Sequence, residues 1–159
     1  QELIDGGTVL GSGPSSLVRI EGAFPGIRKW HSAIANQLKE SGALTTPLGR
    51  RRQFWGRTEE GTTLRKAIAY VPQSTIGDLL NLGLYRVWNE LKDDNVEILG
   101  QVHDAILGQF PKDKADVVVP KILNCMKNPL EVNGRQMIIP SDCEIGVNWK
   151  DMKKYVGNR

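Results

Sequence analysis

The residues of this 159-residue chain best suited to chemistry are His103 and Asp104, set between two apolar runs in "EILGQVHDAILGQFP". The runs, roughly Val96 to Val102 and Ala105 to Phe110, read as two β-strands that leave the pair at a tight hairpin tip. A carboxylate on rigid backbone is what a hard divalent cation needs, because the ligand oxygen must hold its position. One carboxylate cannot cage Mg2+, which takes one or two carboxylates and completes its shell with waters and substrate phosphates. Two such ions about 3.5–4 Å apart clamp the attacking and leaving oxygens of a phosphoryl transfer. A His-Asp pair is also ordinary turn chemistry, and on these two residues alone both readings stand.

The elements that must carry this tip follow from periodicity. Residues 1 to 14, rich in Gly and Ser, read as a flexible loop. A helix starts at Phe24–Pro25, with Ile27, Trp30, Ile34 and Leu38 at helical spacing and Gly42 as its stop. "ALTTPLGRRRQFWG" is most simply a hairpin about Pro47 and Gly49. A long helical stretch from about Thr62 to Lys92 carries Leu64, Ile68, Val71, Ile76, Leu79, Leu80, Leu84, Val87, Trp88 and Leu91. Pro72 lies inside it and predicts a kink or break. After the central hairpin, Pro111 and "KDKAD" open a helix bearing Val118, Ile122 and Met126. An Asn-Gly turn then separates two further β-prone runs. The order predicts an α+β fold with an antiparallel sheet covered on one face. Trp30, Trp88 and Trp149 read as core residues, whereas Trp55, beside an Arg run, is the tryptophan suited to lie near DNA.

Composition narrows the class. The apolar fraction is 40% and the charged fraction 25%, those of a soluble globular chain of one domain. No run can span a bilayer, and the N-terminus lacks the order of a signal peptide. The chain does not start with Met, which suits a processed or excised piece. Its two cysteines, Cys125 and Cys143, have no zinc-site spacing and suit a reducing cytoplasm. Net charge is only +3, but Arg50, Arg51, Arg52, Arg57, Arg65 and Lys66 fall close together and could form one positive surface. The Arg50-Arg51-Arg52 run could grip phosphates, lie in a solvated turn, or pair structurally with acids.

Five segments, in order, carry a resemblance that covers about Ser16 to Tyr155. They are "FPGIRKWHSAI", "GALTTPLGRRRQF", "RKAIAYVPQSTIGDLL", "VHDA" and "IPSDCEIGVNW". They resemble the helix after the fingers, the Gly-Arg-Arg segment, the Arg-bearing helix with Gln-Gly-Thr-Ala-Ala-Asp, motif C, and the Gly-x-Asn-Trp ending of family A (bacterial polymerase I-like) DNA polymerases. The resemblance implies a partial polymerase domain, an antiparallel palm-type sheet with the motif C hairpin packed against long helices. Residues 15 to 159 would be the C-terminal palm and the base of the fingers. It implies Asp104 as one of two metal-binding aspartates, His103 near the primer 3′ end, Arg65 on the primer-template and Gln73 at the minor-groove edge. Arg51 and Arg52 are the further nucleic-acid candidates. The Arg65 and Gln73 roles make chemical sense: Arg suits phosphates and acceptor edges, and minor-groove acceptors occur on every correct pair. Arg65 could equally be a solvated charge on a helix, and Gln73 an ordinary polar residue facing water.

The sequence departs from the family at Ala105, where a Glu is usual, at Ala69, where Asn is common, and at Ser74, Ile76 and Gly77. These suit a divergent, viral or phage branch. Motif A with the first metal aspartate, and motif B with its triphosphate clamp, lie upstream in the family and are missing from this chain. The expectation is therefore one part of a polymerase, either a split subunit or a fragment of a longer chain. It would share two Mg2+ ions with a motif A aspartate elsewhere and act on primer-template DNA and deoxynucleoside triphosphates. It would work beside a complementary chain or upstream domain, without a membrane, in the cytoplasm or in a host's cytoplasm if viral. Two other classes remain open: a non-catalytic DNA-binding module and an assembly subunit.

Overall fold

The computed structural model describes residues 24–57 and 61–156, so the loop expected over residues 1–14 lies outside the described residues. The first helix, α1 (Pro25–Ser41), begins with Pro in its first turn and ends where Gly42 turns left-handed at φ 62°. The Gly42 amide donates to the Leu38 carbonyl at 2.9 Å, satisfying an acceptor the helix end would otherwise leave open. Strands β1 (Ala43–Thr45) and β2 (Arg51–Gln53) pair antiparallel with Leu44 opposite Arg52. The long helix α2 (Gly61–Glu90) follows. Next come β3 (Glu97–Val102), β4 (Ala105–Gln109), α3 (Ala115–Met126), β5 (Pro129–Val132), β6 (Arg135–Ile138), β7 (Glu144–Ile145) and β8 (Lys153–Lys154).

The α+β class expected from the sequence is present. The antiparallel pairing is distributed over four two-stranded ladders among the described residues. Between β5 and β6, Asn133 and Gly134 both take positive φ, 52° and 74°, as a two-residue hairpin of twisted strands requires.

The break or kink expected at Pro72 is corrected in part: α2 runs on as helix through this residue. Pro72 has no amide to donate, so one helical hydrogen bond is lost. Apolar packing on both sides of it, at Ala67 and Tyr70 before and at Leu79 and Leu80 after, keeps the helix in register. Pro72 nonetheless marks a boundary, because two compact units divide the chain there. Unit 1 holds residues up to Thr45 and Arg51–Val71, and unit 2 holds Thr46–Arg50 and Pro72 onward.

Each unit has its own core. In unit 1, Ile34, Leu38, Leu44, Phe54, Ala67 and Tyr70 pack together, with Phe54 edge-on to Tyr70 at 5.7 Å. In unit 2, Val87 of α2 and Leu91 just beyond its end meet Val118 and Cys125 of α3, and Val96, Ile98 and Phe110 at the root of the central hairpin close the cluster.

The tryptophans overturn their expected place in the core. Trp30, Trp88 and Trp149 are 37%, 62% and 63% exposed. For Trp88 the reason is that α2 is apolar on more than one face. Val87 and Leu91 turn inward, while Leu82, Tyr85 and Trp88 form a separate exposed stripe at three-residue spacing. Trp30 shares the i, i+4 row of Ile34 and Leu38 but lies one turn nearer the start of α1, and its ring tilts against His31 at 5.3 Å. Trp149 sits in a short 3-10 turn whose shape is set by its neighbours. Asn148 accepts from the amides of Lys150 and Asp151, and a Cβ at Gly146 would lie 2.5 Å from the Asp151 carbonyl oxygen. The Gly146-Val147-Asn148-Trp149 ending is thus a turn that demands Gly and Asn for backbone reasons.

Candidate active site

The site is built on the β3–β4 hairpin. Val102 pairs with Ala105, which leaves His103 and Asp104 as a two-residue tip. His103 takes φ 54°, a left-handed conformation that His enters more readily than most residues at a cost of order 1 kcal/mol. Both tip side chains are exposed. Behind the tip the register shifts between Ile98 and Gly100, so Leu99 is a bulged residue; bulges sharpen strand twist and re-aim the residues beyond them. At the far end Gln109 donates to the Glu97 carboxylate at 2.6 Å, tying the paired strand ends together. The hairpin root is fixed by Ile98 and Phe110 in the unit 2 core, so Asp104 projects from an anchored base.

Asp104 lines a cavity of about 630 Å3 within unit 2, whose walls include Ile76 and Leu80 of α2 and Asp142, Glu144 and Trp149 from the C-terminal segment. Asp142 pairs with Lys154 at 3.1 Å. Among the described residues no three His, Cys, Asp or Glu side chains are grouped to hold a metal.

Gln73, the residue after Pro72, is exposed on the unit 2 part of α2, and Arg65 is exposed on its unit 1 part. Arg65 Nε donates to the Gly61 carbonyl, four residues back, at 3.1 Å. The hairpin tip, Gln73 and the cavity thus belong to one unit, and Arg65, Arg51 and Arg52 to the other.

The three arginines of the run sit differently. Arg50 is a structural pair: its Nε donates to Asp78 Oδ1 at 2.8 Å and its Nη2 binds the same carboxylate, the bidentate geometry to which guanidinium is suited. Arg52 lies over two rings, 4.9 Å from the Phe54 centroid and 5.5 Å from that of Tyr70. Arg51 is exposed on β2. The Asp78 role escaped sequence reasoning, although the residue closes the segment that resembles Gln-Gly-Thr-Ala-Ala-Asp; its partner lies 28 residues away.

A second arrangement also escaped it. Arg86 Nη1 donates to the Cys125 carbonyl and to Asn128 Oδ1, both at 3.1 Å. The buried Asn128 amide donates to the carbonyls of Leu79 and Cys125 at 3.3 and 3.2 Å. Glu90 accepts from Arg86 Nε, and the Cys125 thiol reaches its other oxygen at 3.5 Å. The Arg86 hydrogen bond, then that from Cys125, holds the Glu90 carboxyl below its usual range, while burial first and Glu90 second push the Cys125 thiol up. This clasp fastens the end of α3 to α2 behind the hairpin.

The family model for DNA polymerase family A matches residues 19–151. The chain belongs to that family. It is 31% identical to DNA polymerase I of Deinococcus radiodurans over 137 residues, 82% of this chain and 14% of that protein. It is 27% identical to the chloroplastic/mitochondrial DNA polymerase I B of Arabidopsis thaliana over 131 residues, 77% of this chain and 12% of the relative. The fold is similar to the POL domain of Pol1 from M. smegmatis, solved in complex with DNA primer-template and dNTP. The TM-score is 0.66 at 23% identity, covering 73% of this chain and 22% of that one. The chain therefore spans about one-seventh of the length of the curated relatives it matches. No helix among the described residues is long and apolar enough to cross a membrane.

Proposed function

We propose that residues 15–159 are the C-terminal palm and fingers base of a template-directed DNA polymerase that adds deoxynucleotides to a primer 3′ end. One observation carries this reading: a member of DNA polymerase family A presents an exposed carboxylate on a two-residue tip of an anchored hairpin. Asp104 fits a hard divalent cation, since it offers oxygen on backbone that relaxes little. Two Mg2+ ions, when bound, supply charge stabilisation at the attacking and leaving oxygens. Asp104 contributes one carboxylate to that pair, and the partner aspartate comes from a motif A on an upstream polypeptide or domain.

The chain's other residues orient the substrate. His103, beside the carboxylate, approaches the primer end. Gln73 donates to minor-groove acceptors of the nascent pair, a check on geometry that is indifferent to sequence. Arg65 and Arg51 grip the primer-template, and Arg52 does so from its seat on Phe54 and Tyr70. The reaction runs in the cytoplasm, that of a host if the source is a phage, with the chain as a split subunit or as part of a longer one. Alone, with one metal aspartate and no triphosphate clamp, it does not extend primers.

The test is reconstitution with an upstream polypeptide carrying motifs A and B. Primer extension is expected only with both parts, and Asp104→Ala is expected to abolish it; extension that survives Asp104→Ala removes the metal assignment. A second reading, a palm retained only to bind DNA, is favoured by the basic character of unit 1. It predicts salt-sensitive DNA affinity that Mg2+ and deoxynucleotides leave unchanged.

A further inference from the structure

Among the described residues Trp55 is the most exposed of the large apolar side chains, at 87%, and neither the palm chemistry nor the unit 1 core uses it. Its position is nevertheless fixed. Phe54, one residue before, is buried edge-on to Tyr70, and its amide continues the ladder by donating to the Gly42 carbonyl at 2.8 Å. Arg52 stacks on the Phe54 and Tyr70 rings, so the alternating residues Arg52 and Phe54 share one side of the strand, Phe54 buried and Arg52 exposed above it. The two-residue period of the extended backbone sets Trp55 with Arg51 and Gln53 instead. Gly56 then turns the chain at φ 110°, and the next residue, Arg57, is exposed. Among the described residues of unit 1 there are eight Lys and Arg and a single acid, Glu40. Glu59 and Glu60 lie outside the described residues.

An exposed, backbone-anchored indole in a cationic setting is the pairing by which proteins hold unpaired bases, with stacking on the ring and phosphates on the cations. We propose that Trp55 is a stacking platform for an unpaired nucleobase of single-stranded DNA, with Arg51 and Arg57 holding the adjoining phosphates. This deepens the polymerase reading and rests on it, since it assigns this loop to a single-stranded part of the substrate. A protein-docking role for the same indole would leave DNA binding indifferent to its removal.

The experiment measures binding of the 159-residue chain at low salt to three probes: a short oligothymidylate, an abasic strand of equal phosphate number, and a blunt duplex. Trp55→Ala is expected to weaken oligothymidylate binding roughly tenfold and to leave the abasic strand and duplex unchanged. Trp55→Phe is expected to keep most of the affinity. In the triple variant W30F/W88F/W149F, where Trp55 is the remaining tryptophan, oligothymidylate should quench fluorescence and the abasic strand should not. An equal loss on all three probes, or no loss on oligothymidylate, overturns the proposal. If the unaltered chain binds neither duplex nor single strand, the polymerase reading itself fails; if it binds duplex while Trp55→Ala changes nothing, only the Trp55 assignment falls.

Discussion

The two units of this chain divide electrostatic labour. Unit 1 carries nine Lys and Arg against six Asp and Glu, whereas unit 2 carries twelve of each. Unit 1 has a plain apolar core with Arg52 laid over its aromatic edge. Unit 2 is neutral overall and holds the Arg50–Asp78 pair, the Arg86–Glu90–Asn128 clasp and a hairpin with an exposed carboxylate at its tip. Holding a substrate needs charge spread over a surface. Placing a metal ligand needs an anchored backbone, and the surrounding cations are better paired off.

The comparison can be broken most forcefully at the cores. Leu38→Ala in unit 1 and Leu91→Ala in unit 2 each remove a fully packed side chain, at an expected cost of about 2–5 kcal/mol. Hydrogen exchange should show amide protection falling first in the unit that carries the substitution; uniform loss from either variant would make the division into units meaningless for stability. Next in size is the clasp. Asn128→Leu takes one donor each from the Leu79 and Cys125 carbonyls and a partner from Arg86, at an expected cost of about 2 kcal/mol in denaturant unfolding. A neutral outcome would mean the clasp is ornamental.

The charge contrast is probed by salt dependence. Arg51→Ala should lower the slope of log affinity for primer-template DNA against log salt by about one unit, while Lys121→Ala, whose ammonium is paired with Asp94, should leave it unchanged. Equal slopes in both variants would dissolve the distinction between the units. The smallest effect is alkaline. Burial and Glu90 raise the Cys125 thiol in the fold, so the folded state keeps a proton that the unfolded chain gives up first. The stability this group contributes is present below the usual thiol range and is lost as pH climbs through the raised value. Cys125→Ala should flatten that part of the pH profile.

Much of the fold around the candidate site was legible because it is local. Alternating apolar runs around His103-Asp104 fixed the central hairpin, Asn133-Gly134 announced the turn between β5 and β6, and Pro25 with Gly42 bracketed α1. What stayed hidden depends on distance or on facing. No spacing rule says that Arg50, rather than Arg51 or Arg52, reaches Asp78, or that Asn128 answers Arg86 across 42 residues. Trp88 looked buried because α2 is apolar on more than one face, and periodicity cannot choose the inward one. Pro72 looked like a break because its local cost is plain and the packing on either side that offsets it is not.

Whether Asp104 holds metal, and does not merely shape a turn, decides the polymerase reading. The isosteric Asp104→Asn variant tests this in the reconstituted polymerase, with single-turnover primer extension and primer-template affinity measured side by side. A metal-holding Asp104 predicts a loss of extension of about a hundredfold or more with DNA affinity retained. Extension at the unaltered rate, or a loss that only tracks weakened DNA binding, would contradict it.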